Sequence, residues 1–209
     1  MTVTTTARRY AGQTAEERDA HRRERVRSAC RELIGGSGYA STTVERICST
    51  AGVSTRHFYQ HYDNKEAAFI DLYDSIISAS GSAAMTSLAE TEGRPMVERV
   101  PAAFLAYLSP MVRDVRTARI AFVEIMGVSP QMEEKRLAFR ESLVEIITTE
   151  GSAAVRRGEI TDRDFRFASL ALAGAATAIV YDWTLRPGRH SVEHLESMLA
   201  DLAVALIAA

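Results

Sequence analysis

Cysteine is scarce in this chain of 209 residues, and so are tryptophan and proline, with two, one and five residues respectively. Cys30 and Cys48 both fall on apolar faces of predicted helices. Neither belongs to a CxxC pair or to a Cys/His metal-binding spacing, which argues against a disulfide framework and a zinc ribbon. We therefore expect two buried, reduced thiols, and we predict no metal site and no cofactor.

Long hydrophobic runs are also missing. The N-terminal residues lack the apolar segment that a secretory signal requires. The longest nearly unbroken apolar run, Leu170–Tyr181, is too short and too rich in Ala and Gly to span a bilayer. These features predict a cytoplasmic protein without a membrane partner.

Catalytic signatures are absent as well, because no nucleophile elbow or Gly-rich phosphate loop occurs. The segment "HSVEH" has the spacing of a zinc-peptidase motif. Ser191 is the expected N-cap there, however, which leaves His190 outside the helix and without a third ligand nearby. The sequence predicts no enzyme. A helical enzyme with a non-functional head is the alternative, and it would need a titratable cluster in a cavity.

Charge is distributed unevenly along the chain. Residues 1–66 contain 11 Lys and Arg against 8 Asp and Glu, a charge of +3, whereas residues 67–209 contain 14 against 19, a charge of −5. The total of −2 conceals this difference. A basic N-terminal third beside an acidic remainder is typical of a DNA-binding head on a body that does not touch DNA.

Apolar residues recur with a period of 3.6, and no period-2 run is evident, so we predict an all-α chain. Thr14 and Glu17 form a capping box that opens a helix over residues 15–34, which a glycine cluster ends. Thr42 is the predicted N-cap of a second helix that stops at Gly52.

A short third helix follows over residues 54–60, and Asp63 opens a long fourth helix. In the rest of the chain we predict helices over 95–108 and 112–126, broken at a Ser-Pro pair, and a helix over 130–157 that Ser129 caps. Thr161 is the predicted cap of a helix to Leu185, and Ser191 is the predicted start of a last helix to residue 207.

The segment "TTVERICSTAGVSTRHFYQHYDNKEAAF", Thr42 to Phe69, has the pattern of a helix-turn-helix, with Gly52 in the turn. It resembles the DNA-binding region of the TetR family of bacterial transcriptional regulators, and so does the preceding "GGSGYASTT". The resemblance implies a flexible basic arm over residues 1–14 and a three-helix helix-turn-helix DNA-binding head over residues 15–63. A larger helical body over residues 64–209 would then bind ligand and dimerise.

Phe58 is expected to face the core, which turns the neighbouring polar side chains of the third helix outward. An exposed Arg can bind a guanine edge, and an exposed Gln can bind an adenine edge. The resemblance assigns base contacts to Thr55 and Arg56 and a base or phosphate contact to Tyr59. Gln60 joins the predicted DNA-binding residues because it lies on the same exposed face. The resemblance assigns backbone contacts to Thr43, His57, His61 and Lys65. The alternatives are solvent exposure of the two histidines and pairing of Lys65 with Asp63 or Asp71. The basic segments "ARRY" and "RRERVR" either grip DNA or are simply solvated.

Two further sets of residues lie in the body. In the TetR family, mid-chain aromatic and Met side chains often line a ligand cavity, although such stripes are also common in plain cores. The candidate cavity residues are Phe104, Tyr107, Met111, Phe122, Met126, Phe139 and Trp183. Small and apolar residues near the end of the chain predict a homodimer interface rather than internal packing alone. The candidate interface residues are Ala171, Gly174, Ala175, Ala178, Leu195, Met198 and Leu202.

We therefore expect a homodimeric repressor that binds double-stranded operator DNA, with half-sites about one helical turn apart. An unknown small molecule would release it by population shift, with the helix from Asn64 towards Ser80 as the lever. The alternative is a nucleoid-associated or division-coupled DNA-binding protein that a protein partner regulates. That protein would bind many genomic sites and would have only a vestigial cavity.

Overall fold

The structure is a computed structural model that describes residues 14–208, and every regular element in this range is a helix. The predicted all-α fold class is therefore confirmed. Apart from Thr14, the proposed N-terminal arm lies outside the described residues. The chain forms two compact units, Met1–Leu72 and Tyr73–Ala209. The sequence-based division at residue 63 stays a prediction.

The first unit contains α1 (Ala15–Ser37), α2 (Val44–Ala51), α3 (Thr55–Tyr59) and the start of α4 (Lys65–Glu90), which continues into the second unit. Helix α2 packs against both α1 and α3. The apolar stripes of these helices meet in one core, whose buried side chains include Val26, Ala29, Cys30, Leu33, Ile34, Ile47, Cys48, Phe58 and Tyr62. Both thiols are free and buried, and burial raises the pKa of Cys30 to about 12.

The predicted capping box of α1 is confirmed. The Thr14 hydroxyl accepts the Glu17 backbone N–H at 3.1 Å, and the Glu17 carboxylate accepts the Thr14 N–H at 2.6 Å. The predicted end of α1 was three residues too early. Two glycines stay helical, and the chain leaves the helix only at Gly38, where φ is +93°.

The N-caps of α2 and α4 each lie one residue beyond the predicted position. Thr43 caps α2 by accepting a backbone N–H at 3.3 Å, whereas the buried Thr42 donates its hydroxyl to a loop carbonyl at 2.9 Å. Asn64, and not Asp63, caps α4 by accepting a backbone N–H at 2.8 Å. Adjacent residues with equal capping ability leave the choice to the path of the backbone.

The second unit contains the rest of α4 and five further α-helices: α5 (Met96–Val112), α6 (Val115–Arg119), α7 (Pro130–Arg156), α8 (Phe165–Leu185) and α9 (Val192–Ala203). A π-helical turn, Ile120–Glu124, follows α6, and another, Val204–Ala208, follows α9. Helix α7 packs along α8, and α5 packs against α9. The predicted N-caps Ser129 and Ser191 are confirmed.

Two predicted boundaries in this unit are wrong. The Ser-Pro pair at Pro110 does not end α5, which continues to Val112, because a proline this close to the helix end removes only one backbone donor. The next helix begins after Asp114 instead, which caps it. Helix α8 begins at Phe165 with Asp164 as its N-cap, and not at Thr161.

Helix α8 is long and apolar enough, by length and composition, to cross a membrane. Its most apolar window is 44% buried inside the structure, and a core helix of a soluble protein passes the same test. Its packing along α7 accounts for much of that apolar surface.

Helices α7 and α8 approach closely at Gly151, where an added Cβ would lie 2.5 Å from the ring of Phe165. We predict that Gly151→Ala lowers the free energy of unfolding by about 1–3 kcal/mol, because a packed aromatic ring must shift. Chemical denaturation measures this change. Gly81→Ala, at an open helical position in α4, is the control, and it should be neutral or stabilising by up to about 1 kcal/mol. Equal stability of the two variants would contradict the close approach.

Candidate DNA-binding surface and body cavity

Helix α3 presents a polar face and buries an apolar one. Phe58 is 1% exposed, whereas Thr55, Arg56 and Gln60 are exposed and Tyr59 is 54% exposed. Arg56 forms no ion pair with any residue that the structure describes. Thr55, Arg56, Tyr59 and Gln60 therefore share one accessible face of α3.

Arg25 of α1 holds the turn between α2 and α3. Its guanidinium donates to the carbonyl of Ala51 at 2.7 Å and to the carbonyl of Gly52. Gly52 has φ +61°, and a Cβ there would meet the Arg25 side chain at 2.6 Å. Sequence reasoning identified the glycine but not the arginine, which had been grouped with the basic residues of "RRERVR".

The four predicted backbone-contacting residues fall into two groups. Thr43 is the N-cap of α2, and His57 lies in the first turn of α3. The Ser54 hydroxyl accepts the His57 backbone N–H at 3.2 Å and lies 2.9 Å from the His57 Nδ1 atom. His61 is instead bonded to Asp19 of α1, with 3.0 Å between its Nε2 atom and the carboxylate. A phosphate would have to compete with that carboxylate for His61.

Lys65 is engaged within the first unit. Its ammonium group donates to the carbonyls of Tyr39 and Thr42 at 2.7 and 2.8 Å and lies 3.9 Å from the centre of the Tyr39 ring. Burial lowers the pKa of Lys65. The expected alternative, pairing with Asp63 or Asp71, is wrong. The hydrogen bonds that Lys65 donates link the α1–α2 loop to the start of α4. The contact of Lys65 with DNA stays a prediction.

The carboxylate of Asp71 in α4 accepts four hydrogen bonds that the sequence did not predict. Arg27 donates two at 2.8 and 3.1 Å, Arg23 donates one at 3.0 Å, and the Tyr62 hydroxyl donates one at 2.6 Å. Burial alone would raise the pKa of Asp71, but the bonds from Arg27 and Tyr62 and the two arginine charges hold it below its ordinary value. A spacing of 44 residues gives no local signal for such a pairing.

A cavity lies within the second unit, between α5, the first π-helical turn, α7 and α8. Its free volume is about 70 Å³, and most of its wall is apolar. Six of the seven predicted cavity residues line it: Phe104, Tyr107, Met111, Phe122, Met126 and Phe139. The wall also includes Tyr73, Arg136, Arg140, Ala176 and Thr177, which sequence reasoning did not include.

Trp183 does not line this cavity. It borders a separate groove near the end of α8, and its indole N–H donates to the carbonyl of His190 at 3.0 Å. Trp183 lies on the same face of α8 as Ala176, which lines the cavity, but about two helical turns further along the helix.

Aromatic stacking forms one side of the cavity. The rings of Tyr107 and Phe139 are stacked with centroids 4.8 Å apart, and Tyr73 meets Phe139 edge-on at 6.4 Å. The Tyr107 hydroxyl donates to the carbonyl of Phe139 at 3.0 Å. Phe139 therefore joins the wall from α7 to the walls from α4 and α5.

Helix α8 carries a partly exposed stripe of small residues, which contains the predicted interface residues Ala171, Gly174, Ala175 and Ala178. Met198 and Leu202 of the α9 segment are also partly exposed, but Leu195 is fully buried by its own chain and is removed from the proposed interface. The stripe continues through residues that sequence reasoning missed, although their 3.6-residue period would have identified them: Phe167, Tyr181 and Leu185.

The rings of His190 and His194 pack with centroids 4.7 Å apart. His190 lies outside α9, as predicted. Within residues 14–208, no group of three or more His, Cys, Asp or Glu side chains has the arrangement needed to hold a metal ion.

Comparison with known proteins gives this architecture a context. Residues 26–72 match the family described as bacterial regulatory proteins of the tetR family, and residues 93–207 match the tetracyclin repressor-like C-terminal domain. The HTH-type transcriptional regulator TtgR of Pseudomonas putida is 27% identical over 180 residues, which are 83% of this chain and 85% of TtgR.

Solved structures share the fold. FadR from Bacillus subtilis, in complex with stearoyl-CoA, superposes with a TM-score of 0.74 at 20% identity, over 88% of this chain and 98% of FadR. The fatty acid degradation regulator FadR from Bacillus halodurans superposes with a TM-score of 0.72 at 17% identity, over 87% of this chain and 97% of that one.

A helix-turn-helix unit joined to a larger helical body defines a DNA-binding transcriptional regulator. The chain belongs to the TetR family of bacterial regulators. Members of this family are cytoplasmic DNA-binding proteins rather than enzymes, and they bind operator DNA, act as dimers and respond to small molecules. The nucleoid-associated alternative is not favoured.

Asp71 generates a prediction about the stability of the first unit. We expect Asp71→Asn to lower the free energy of unfolding at pH 7 by about 2 kcal/mol, because charged hydrogen bonds from two arginines are weakened. The folded-state pKa of Asp71 is lowered, so this stabilisation is present above the unfolded-state pKa and is lost as the pH falls through the folded-state value. The variant should therefore lose less stability in acid than the wild type.

The matched control is Asp74→Asn on the same helix, which breaks an exposed pair with Lys135 and should cost less than about 1 kcal/mol. Denaturant titrations from pH 3 to 7 measure both effects. Equal losses for the two variants at pH 7 would show that the Asp71 network contributes no more than a surface pair.

Proposed function

We propose that this protein is a homodimeric repressor that a small, mainly apolar molecule releases from operator DNA. The observation that carries this proposal is the presence of an accessible polar face on α3 in one compact unit and an apolar cavity in the other. A mainly apolar lining favours a ligand with a hydrocarbon or aromatic portion.

The exposed face of α3 supports major-groove binding. Arg56 carries the specificity, because a guanidinium can donate two hydrogen bonds to one guanine edge. Thr55, Tyr59 and Gln60 surround it on the same face. Thr43 and His57, at the starts of α2 and α3, would contact the DNA backbone.

The partly exposed stripe on α8 supports self-association. Small side chains at Ala171, Gly174 and Ala178 permit the close approach of a second helix, and Phe167, exposed by 72%, would lose its contact with water. In a two-fold symmetric dimer, both subunits use the same face of α8, and the two copies of α3 can bind two half-sites.

The size of the cavity supports a linkage between ligand binding and shape. A volume of about 70 Å³ is smaller than the cavity of roughly 150 Å³ that accommodates a ligand the size of benzene. A larger ligand must therefore move the walls as it enters. The B. subtilis FadR structure, which contains stearoyl-CoA in a similar fold, supports a ligand with an acyl chain.

The proposed release mechanism is a population shift. A ligand that binds better to a body with displaced walls favours that conformation, and α4, which begins in the first unit and contributes Tyr73 to the cavity, transmits the difference. A ligand with equal affinity for both conformations would bind without releasing DNA.

The role of Arg56 yields a prediction for DNA specificity. Arg56→Ala should weaken operator binding by about 1–3 kcal/mol and should abolish discrimination at one guanine of each half-site. Fluorescence anisotropy with the operator and with single-base variants measures both effects. Arg116→Ala, an exposed substitution on α6, is the control. An equal loss on every DNA sequence would make Arg56 a phosphate contact.

The cavity yields a second prediction for release. Ala176→Leu adds a branched side chain to a wall of about 70 Å³ of free space, so it should block ligand entry and leave operator binding within about twofold of the wild type. Release of operator DNA by stearoyl-CoA and by octanol is the measurement, and Ala89→Leu, at an exposed position of α4, is the control. A compound that releases both variants equally acts outside the cavity.

A further inference from the structure

Most polar groups in the wall of the cavity are satisfied within the protein. The Tyr107 hydroxyl donates to a backbone carbonyl at 3.0 Å, and the Thr177 hydroxyl donates to another at 2.8 Å. Arg136 is paired with Glu133 one helical turn away, at 2.8 Å through its Nε atom. These groups need no ligand to complete their hydrogen bonds.

Tyr73 and Arg140 differ from the others. Tyr73 is 1% exposed, and its hydroxyl makes no hydrogen bond to a residue that the structure describes. A tyrosine hydroxyl in the interior normally finds a partner, so this one is available to an acceptor that enters the cavity. Arg140 lines the same cavity and has no ion pair within residues 14–208.

The carboxylates nearest to Arg140 are already used. Glu133 is bonded to Arg136, and Glu141 is bonded to Arg166 of α8. Arg140 lies close enough to both to lower their pKa values together with those arginines. Arg140 is exposed at this edge of α7 and forms no ion pair with either carboxylate, so its guanidinium is available to an anion beside the apolar cavity.

We propose that the effector is an amphipathic anion whose apolar portion fills the cavity and whose carboxylate or phosphate oxygens bind Arg140 and the Tyr73 hydroxyl. This inference rests on the proposed function, because it names the chemistry of the ligand of that same cavity. A guanidinium pairs well with either oxyanion, so the two sources share one recognition chemistry.

Four probes with the same eight-carbon chain separate the contributions of charge and apolar surface: octanoate, octyl phosphate, octanol and octylamine. Calorimetric titration of the full-length protein measures each dissociation constant. We expect both anions to bind at least about tenfold more tightly than octanol, because hydrogen bonds to charged groups exceed neutral ones. Octylamine should bind more weakly than octanol. Tighter binding of octanoate than octyl phosphate would assign a carboxylate, and the reverse would assign a phosphate.

The variants test the assignment residue by residue. Arg140→Gln should remove the advantage of the anions and leave octanol affinity unchanged, whereas Tyr73→Phe should reduce that advantage only several-fold. Arg156→Gln, at an exposed position of α7 that does not line the cavity, is the matched control and should behave like the wild type.

Three outcomes would overturn the inference. Equal binding of octanol and the anions, with release of DNA by octanol, would leave the proposed function intact but remove the anionic site. A loss in Arg140→Gln that is equal for octanol and octanoate would make Arg140 a structural residue. Failure of all four probes to bind would count against the cavity as an effector site, and so against the proposed function itself.

Discussion

The first unit depends on the hydrogen bonds that the Asp71 carboxylate accepts. The described part of this unit, residues 14–72, is small for an independently stable domain. Hydrogen bonds from Arg23, Arg27 and Tyr62 to Asp71 join α1, the segment after α3, and α4. Arg25 and Lys65 add backbone carbonyl contacts at two loops. Basic residues that a charge count assigns to DNA thus hold the unit together.

The second unit differs from the first, because it has a large apolar core in which the packing around the cavity is incomplete. A cavity of about 70 Å³ lined by stacked aromatic rings costs packing energy that a filled core would not lose. The loss is tolerable because the surrounding helices bury many large side chains. If the proposed ligand binds in this cavity, its entry requires movement of the walls, which a larger open pocket would not require.

Sequence patterns predicted those features that depend on neighbouring residues. The capping box at Thr14, the proline start of α7 at Pro130 and the turn at Gly52 all involve residues within about one helical turn. The patterns failed where two neighbours compete, as with Thr42 and Thr43, and where partners are distant in sequence, as with Asp71. Six of the seven aromatic and Met candidates surround one cavity because bulky apolar side chains of different helices meet in the interior.

Helix α4 brings the two kinds of site within four residues of each other. Asp71 belongs to the polar network of the first unit, Tyr73 lines the cavity of the second, and Asp74 pairs with Lys135, the neighbour of Arg136 on α7. These residues lie within about one turn of a continuous helix, where backbone hydrogen bonds resist local distortion. Under the proposed release mechanism, we expect a displacement of Tyr73 to alter the hydrogen bonds of Asp71. The cavity wall and the anchoring of α1 share this short segment of α4.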